Sequence, residues 1–149
     1  MRRTLPRYLL ILTIFCGLTF MPVATGAREP EHIAQYDSFI QINPDNRLIV
    51  TETIEVYAAG KNIKHGIYRD FPTRYQGKRG QIRQVGFEII EILRNDTSEP
   101  YHLKQLSNGI RVYIGHKDRR VPKGWHTYTI HYQTDRQTGF FDDFDELYW

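Results

Sequence analysis

Thiols are almost missing from this chain: Cys16 is the only cysteine in 149 residues, and it lies in the apolar opening run. No disulfide can therefore hold the fold, and the core must do so alone. The preceding Thr13-Ile14-Phe15 lacks the Leu-small-small pattern of bacterial lipoprotein signals, so no lipid anchor is implied. Acid is absent from residues 1–27, and no apolar run reaches the roughly 20 residues that a spanning helix needs. There is no glycine-rich phosphate loop and no Gly-x-Ser-x-Gly, which leaves nucleotide and serine-hydrolase readings without support. The six histidines, His32, His65, His102, His116, His126 and His131, are scattered and suggest no metal pair. No cofactor or metal is expected.

What does open the chain is a leader. Arg2, Arg3 and Arg7 precede the uncharged, largely apolar Tyr8 to Phe20, which Pro22 closes before the small residues Ala24, Thr25, Gly26 and Ala27. That order is the grammar of a cleavable signal peptide over residues 1–27, with cleavage near Ala27. The alternative is an uncleaved anchor extending through Val23 and Ala24. Residues 28–149 then form the exported domain, long enough for one core. Removing the leader takes three of the 20 Lys and Arg residues and leaves 17 against 17 Asp and Glu. The pI near 9 belongs to the leader. A formally neutral domain lacks the charge expected of a nucleic-acid binder. Charge is sorted locally instead, with Lys61, Lys64, Arg69, Arg74, Lys78, Arg79 and Arg83 in the middle and four acids at the end.

Alternation dominates the rest. Tyr36, Ser38, Ile40 and Ile42 share one phase, Asn43-Pro44-Asp45-Asn46 supplies a turn, and Leu48 to Ala58 resumes the period of two. Val85 to Leu93 follows, then a turn at Asn95-Asp96, then Tyr101 to Leu106 and Ile110 to Ile114 joined across Ser107-Asn108-Gly109. After a further turn at Pro122-Lys123-Gly124, His126, Tyr128, Ile130 and Tyr132 alternate with Trp125, Thr127, Thr129 and His131. Beyond the leader no ten-residue segment shows a 3.6-residue period. Six or seven short strands with regular turns predict an all-β fold, an antiparallel β-sandwich of immunoglobulin-like or Greek-key type, preceded by a signal-peptide helix. Residues 60–80, rich in glycine and basic side chains, read as one long ordered loop, and such loops usually have a task.

Two places invite a chemical reading. Glu52 falls in the apolar phase between Val50 and Ile54, so alternation aims a carboxylate at the core. A buried charge must pair or neutralise. Arg69 is the natural partner, and the pair would clamp the long loop onto the sheet; the alternative is a bulge that turns Glu52 to solvent. The tail interleaves aromatics with Asp142, Asp143, Asp145 and Glu146. Those acids could ligate calcium, run glycoside hydrolysis as a pair, or simply face water or the basic loop. The third reading is favoured, because the spacing matches no calcium loop and nothing fixes a carboxylate separation.

Taken in order, Val50-Thr51-Glu52-Thr53, His65-Gly66-Ile67-Tyr68-Arg69-Asp70-Phe71-Pro72, Gly124-Trp125-His126-Thr127-Tyr128 and Gly139-Phe140-Phe141-Asp142 through Trp149 resemble a known family. It is the N-terminal region of predicted membrane proteins grouped as domain of unknown function 2207, over roughly residues 33–149. The resemblance implies an extracytoplasmic β-sandwich, tethered in full-length relatives by transmembrane helices that follow it, with no assigned enzymatic activity. Relatives continue beyond the position of Trp149, so the chain looks like a fragment of such a protein. The signature positions Glu52, His65, Tyr68, Arg69 and Asp70 carry over as candidates for a structural or binding role. The expectation is a binding or interaction domain on the outer face of a bacterial cytoplasmic membrane, not an enzyme, with membrane-embedded or cell-envelope partners. The alternative is a carboxylate-dependent hydrolase of envelope polymers, which needs the four tail acids to converge in a cleft.

Overall fold

The computed structural model describes residues 29–76 and 80–148. The leader, and with it the expected signal helix, lies outside the described residues, as do Lys78, Arg79 and Trp149. The described chain is all-β and antiparallel: β1 (His32–Ile42), β2 (Arg47–Ala58), β3 (Ile67–Pro72), β4 (Arg74–Gln76), β5 (Ile82–Gln84), β6 (Phe87–Arg94), β7 (Thr97–Ser98), β8 (Tyr101–Gln105), β9 (Gly109–Ile114), β10 (Gly124–Asp135), β11 (Thr138–Phe140) and β12 (Asp145–Leu147). A five-stranded sheet runs β1-β2-β10-β6-β7 and a three-stranded sheet runs β3-β9-β8. Two small ribbons, β4-β5 and β11-β12, complete it. Among the described residues no helix is long and apolar enough to cross a membrane.

The two longest strands make the centre because their alternation is unbroken. In β2 and β10 every second side chain is buried, and the strands pair along their whole length from Gly124 opposite Ala58 to Asp135 opposite Arg47. Leu48, Val50, Ile54, Val56, Tyr128, Ile130 and Tyr132 line the inner face of the large sheet, joined by Ile92 of β6. Phe71, Val112 and Ile114 of the small sheet meet them in the same cluster. Removing a side chain of this kind from water is worth about 1.5–3 kcal/mol, so the shared core supplies what no disulfide can. Phe71, Phe87 and Tyr132 form an aromatic triangle inside it, with ring centres 4.5–5.3 Å apart.

The turns obey local chemistry. Asn95 and Asp96 both adopt positive φ and join Arg94 to its partner Thr97, as a two-residue hairpin of primed type requires. Ser107 and Asn108 turn β8 into β9, where the Leu106 amide donates to the Gly109 carbonyl.

One expectation fails. Residues 60–80 are not a single long loop, since β3 and β4 occupy most of the second half. Strand β3 was hidden because its inward phase reads Ile67, Arg69, Phe71, and a charge in the middle of an apolar triplet erases the period. Pro72 is tolerated because β3 lies at the edge of its sheet and ends there. The strands are also more numerous and shorter than six or seven, for β4, β5, β7, β11 and β12 are each three residues or fewer.

Candidate functional site

Strand alternation splits the segment His65 to Pro72 between two faces. Arg69 points inward and meets Glu52, whose side chain is wholly buried: Nε donates to Oε2 at 2.9 Å and Nη2 to Oε1 at 3.1 Å. The pair therefore links β2 of the large sheet to β3 of the small one, rather than holding a loop to a sheet. Tyr132 on β10 donates its hydroxyl to the same Oε1 at 3.0 Å, and Arg69 Nη2 donates to the Tyr36 hydroxyl on β1 at 3.0 Å. The Arg69 guanidinium also lies 5.0 Å from the Phe71 ring centre.

Four strands of two sheets thus converge on one carboxylate. Burial opposes the charge on Arg69, but the hydrogen bonds and charge of Glu52 outweigh it and hold the guanidinium above its ordinary range. Burial first, and Glu52 next, push the Tyr36 hydroxyl up to about 12. Burial and the Glu52 charge raise Tyr132 in the same direction. Arg69, Tyr36 and Tyr132 are thus all held in their protonated forms, and the arrangement joins the two sheets.

Tyr68 and Asp70 take the opposite face. Asp70 accepts two hydrogen bonds from Arg111 on β9, at 2.6 and 2.7 Å, and these hold its carboxyl below the usual range. The Arg111 guanidinium sits 4.1 Å from the centre of the Tyr68 ring. Tyr68 is 58% exposed and opposes Tyr113, against which His102 of β8 stacks with ring centres 4.7 Å apart. The outer face of the small sheet therefore carries a fixed row of rings beside an anchored ion pair.

Next to that row, at the end of the sheet, opens a cleft of about 290 Å³ whose lining includes Lys64, His65, Tyr68, His102, Tyr113, His116 and Lys117. Its floor is a glycine crossing. Gly66 and Gly115 both have positive φ, and a Cβ on either would come within 2 Å of the other strand's carbonyl oxygen, that of Ile114 or of His65. His65 Nδ1 lies 3.1 Å from the Arg119 carbonyl, which ties the two flanking loops together.

The four tail acids behave differently. Asp142, Asp143, Asp145 and Glu146 are all exposed on or beside the β11-β12 ribbon, so the geometry supplies no cleft into which they converge. Among the described residues no group of three or more His, Cys, Asp or Glu could hold a metal ion.

Tyr36, Tyr132 and Arg111 belong to the site and went unmarked in the sequence. The period of two places Tyr132 in the buried phase, but which charge it meets depends on how one sheet lies on the other. Glu31 was also overlooked. Its carboxylate accepts the backbone amides of Ala59, Lys61, Asn62 and Ile63 at 2.6–3.2 Å and lashes the 59–63 loop to the root of β1.

Fold and site together define an antiparallel all-β domain whose sheets are joined by a buried ion pair and whose outward motif residues Tyr68 and Asp70 are braced by Arg111. The chain belongs to the family described as predicted membrane protein (DUF2207), N-terminal domain, whose model matches residues 32–149. It is 32% identical over 119 residues to the "Uncharacterized protein YciQ" of Escherichia coli (strain K12), a match that covers 80% of this chain. The chain spans about a fifth of that relative, 19% of its length. No solved structure matches the chain.

Proposed function

We propose that residues 28–149 are an extracytoplasmic binding or interaction domain of a bacterial membrane protein, exported by the leader at 1–27 and meeting membrane-embedded or cell-envelope partners. Its role is not enzymatic, and its two sheets form a sandwich of immunoglobulin-like or Greek-key type, with β10 returning between β2 and β6. One observation carries this reading: the signature segment divides, with Arg69 committed to the core while Tyr68 and Asp70 are braced by Tyr113 and Arg111 on an open face. Rigid aromatic and charged groups held at a surface suit recognition, because little freedom is lost when a partner arrives. Family membership supports the membrane setting. No observation favours the hydrolase, whose four carboxylates stand apart from any shared cleft.

The test is a fusion, after Tyr148, of a reporter enzyme that matures only outside the cytoplasm. Activity should be high with the native leader and collapse when Arg2, Arg3 and Arg7 are changed to glutamate. A reporter that stays silent with the native leader would overturn the placement.

A further inference from the structure

Basic side chains gather in two loops at one end of the domain. The loops 59–66 and 115–123 meet at the end where β2 finishes and β10 begins, through the Val121 amide donating to the Lys64 carbonyl and the His65 contact with Arg119. They carry Lys61, Lys64, Lys117, Arg119, Arg120 and Lys123. Among the described residues none of the six forms an ion pair; Arg47, Arg69, Arg94 and Arg111 elsewhere are each matched to a carboxylate, while Arg74, Arg83, Lys104 and Arg136 are not. The acids at this end offset them only in part: Glu99 is taken by Arg94, Glu29 stands beside His32, and Asp96 lies in the hairpin turn after β6. Glu31 is surrounded by four backbone amides, and Asp118 is absent from the cleft lining. The acidic β11-β12 ribbon follows the far end of β10, which is 12 residues long and so spans on the order of 40 Å.

The cleft itself lies at this cationic end, and no Asp or Glu lines it. Lys64 and His65 stand on one side of the glycine crossing, and His116 and Lys117 on the other. The Asp118 amide donates to His116 Nδ1 at 3.1 Å, which places the proton of the neutral ring on Nε2, so His116 keeps a donor without needing to be charged. Its volume is at the small end for ligand sites, the scale of a headgroup and too short to track a polymer. Two lysines, the His116 imidazole donor and close backbone fit an oxyanion with several acceptor oxygens.

We infer that this cleft binds a phosphate-type anion, held between Lys64 and Lys117 across the Gly66–Gly115 crossing. The inference names a ligand chemistry for the binding role proposed above and rests on it; anion binding is measured directly, so it can fail while the exported placement stands, and the reverse. The phosphate can arrive on a lipid headgroup or on a soluble ester.

The test uses the whole chain in mild detergent for soluble probes and with vesicles for lipid. Glycerol phosphate is titrated by calorimetry, and co-sedimentation compares vesicles containing phosphatidylglycerol with vesicles of phosphatidylcholine alone. The same leader is present in every variant, so its own insertion cancels from the comparison. The double variant K64E/K117E should weaken binding by about tenfold or more, K64Q/K117Q should weaken it less, and R74E/R83E, equal in charge change but remote, should leave it unaltered. Binding to both probes identifies the phosphate group alone as sufficient; binding only to phosphatidylglycerol vesicles identifies the lipid headgroup. The inference is overturned if the native chain prefers neither probe, if K64E/K117E binds as the native chain does, or if R74E/R83E loses as much.

Discussion

Glu52 and Arg69 are unequal partners, because the carboxylate is wholly buried while the arginine side chain is 35% exposed. Removing the arginine strands a charge that cannot reach water; removing the glutamate leaves one that can. Arg69→Met should therefore cost about 3 kcal/mol, the low end of the range for a broken buried pair, since Tyr132 still donates to the carboxylate. Glu52→Leu should cost roughly 1 kcal/mol, and the double variant should recover most of the larger loss. Urea unfolding midpoints of the three variants check the order. If Glu52→Leu were the more damaging change, unequal burial would not govern the pair. Glu52 was legible in the sequence because a charge stood in an apolar phase. Its further partners were not, since Tyr36 and Tyr132 reach it only once the sheets have come together.

At the scale of elements, Glu31 and the loop it holds give a pH-dependent prediction. Burial opposes the ionised form, but the amides of Asn62, Lys61, Ile63 and Ala59 outweigh it, and the carboxyl titrates below its ordinary range. A depressed folded value means that the contribution is complete above the unfolded value, about 4.3, and is lost as pH falls through the folded one. Hydrogen exchange at Lys61, Asn62 and Ile63 should be several-fold faster in Glu31→Gln than in the native chain at neutral pH. The two should converge as the pH falls below the unfolded value and through the folded one. Equal protection at neutral pH would show that the loop is held by something else. The second half of β1 and strands β2, β6, β8, β9 and β10 were readable from alternation, and the turns at 43–46, 95–96 and 107–109 from Asn, Asp, Pro and Gly. Strand β3 was not, because Arg69 occupies its inward phase, and the three-residue ribbons are too short to show any period.

For the molecule as a whole, the outermost strand of the large sheet matters most. Strand β1 has one free edge, and Phe39 stands on it 70% exposed, with Ile33 and Ile42 also largely open. A long apolar edge invites pairing with another chain. Phe39→Lys should change stability by no more than about 0.5 kcal/mol and should reduce self-association as protein concentration rises, read by sedimentation velocity. Unchanged association would place the sticky surface elsewhere. This exposure has two origins: Phe39, opposite Thr51, points to the outer face, while β3 and β9 of the small sheet pack on β2, β10 and β6 and leave the inner face of β1 largely open at Tyr36 and Ile42.

The reciprocal contact of Gly66 and Gly115 fixes more than the shape of a cleft. Sliding β3 by one residue against β9 would bring a side chain of His65 or Ile67 to a spot that only hydrogen can occupy. The crossing is thus a steric zero mark from which the small sheet is counted. From it Tyr68 and Asp70 fall outside and Arg69 inside, so a miscount of one would exchange the bolt for the handle.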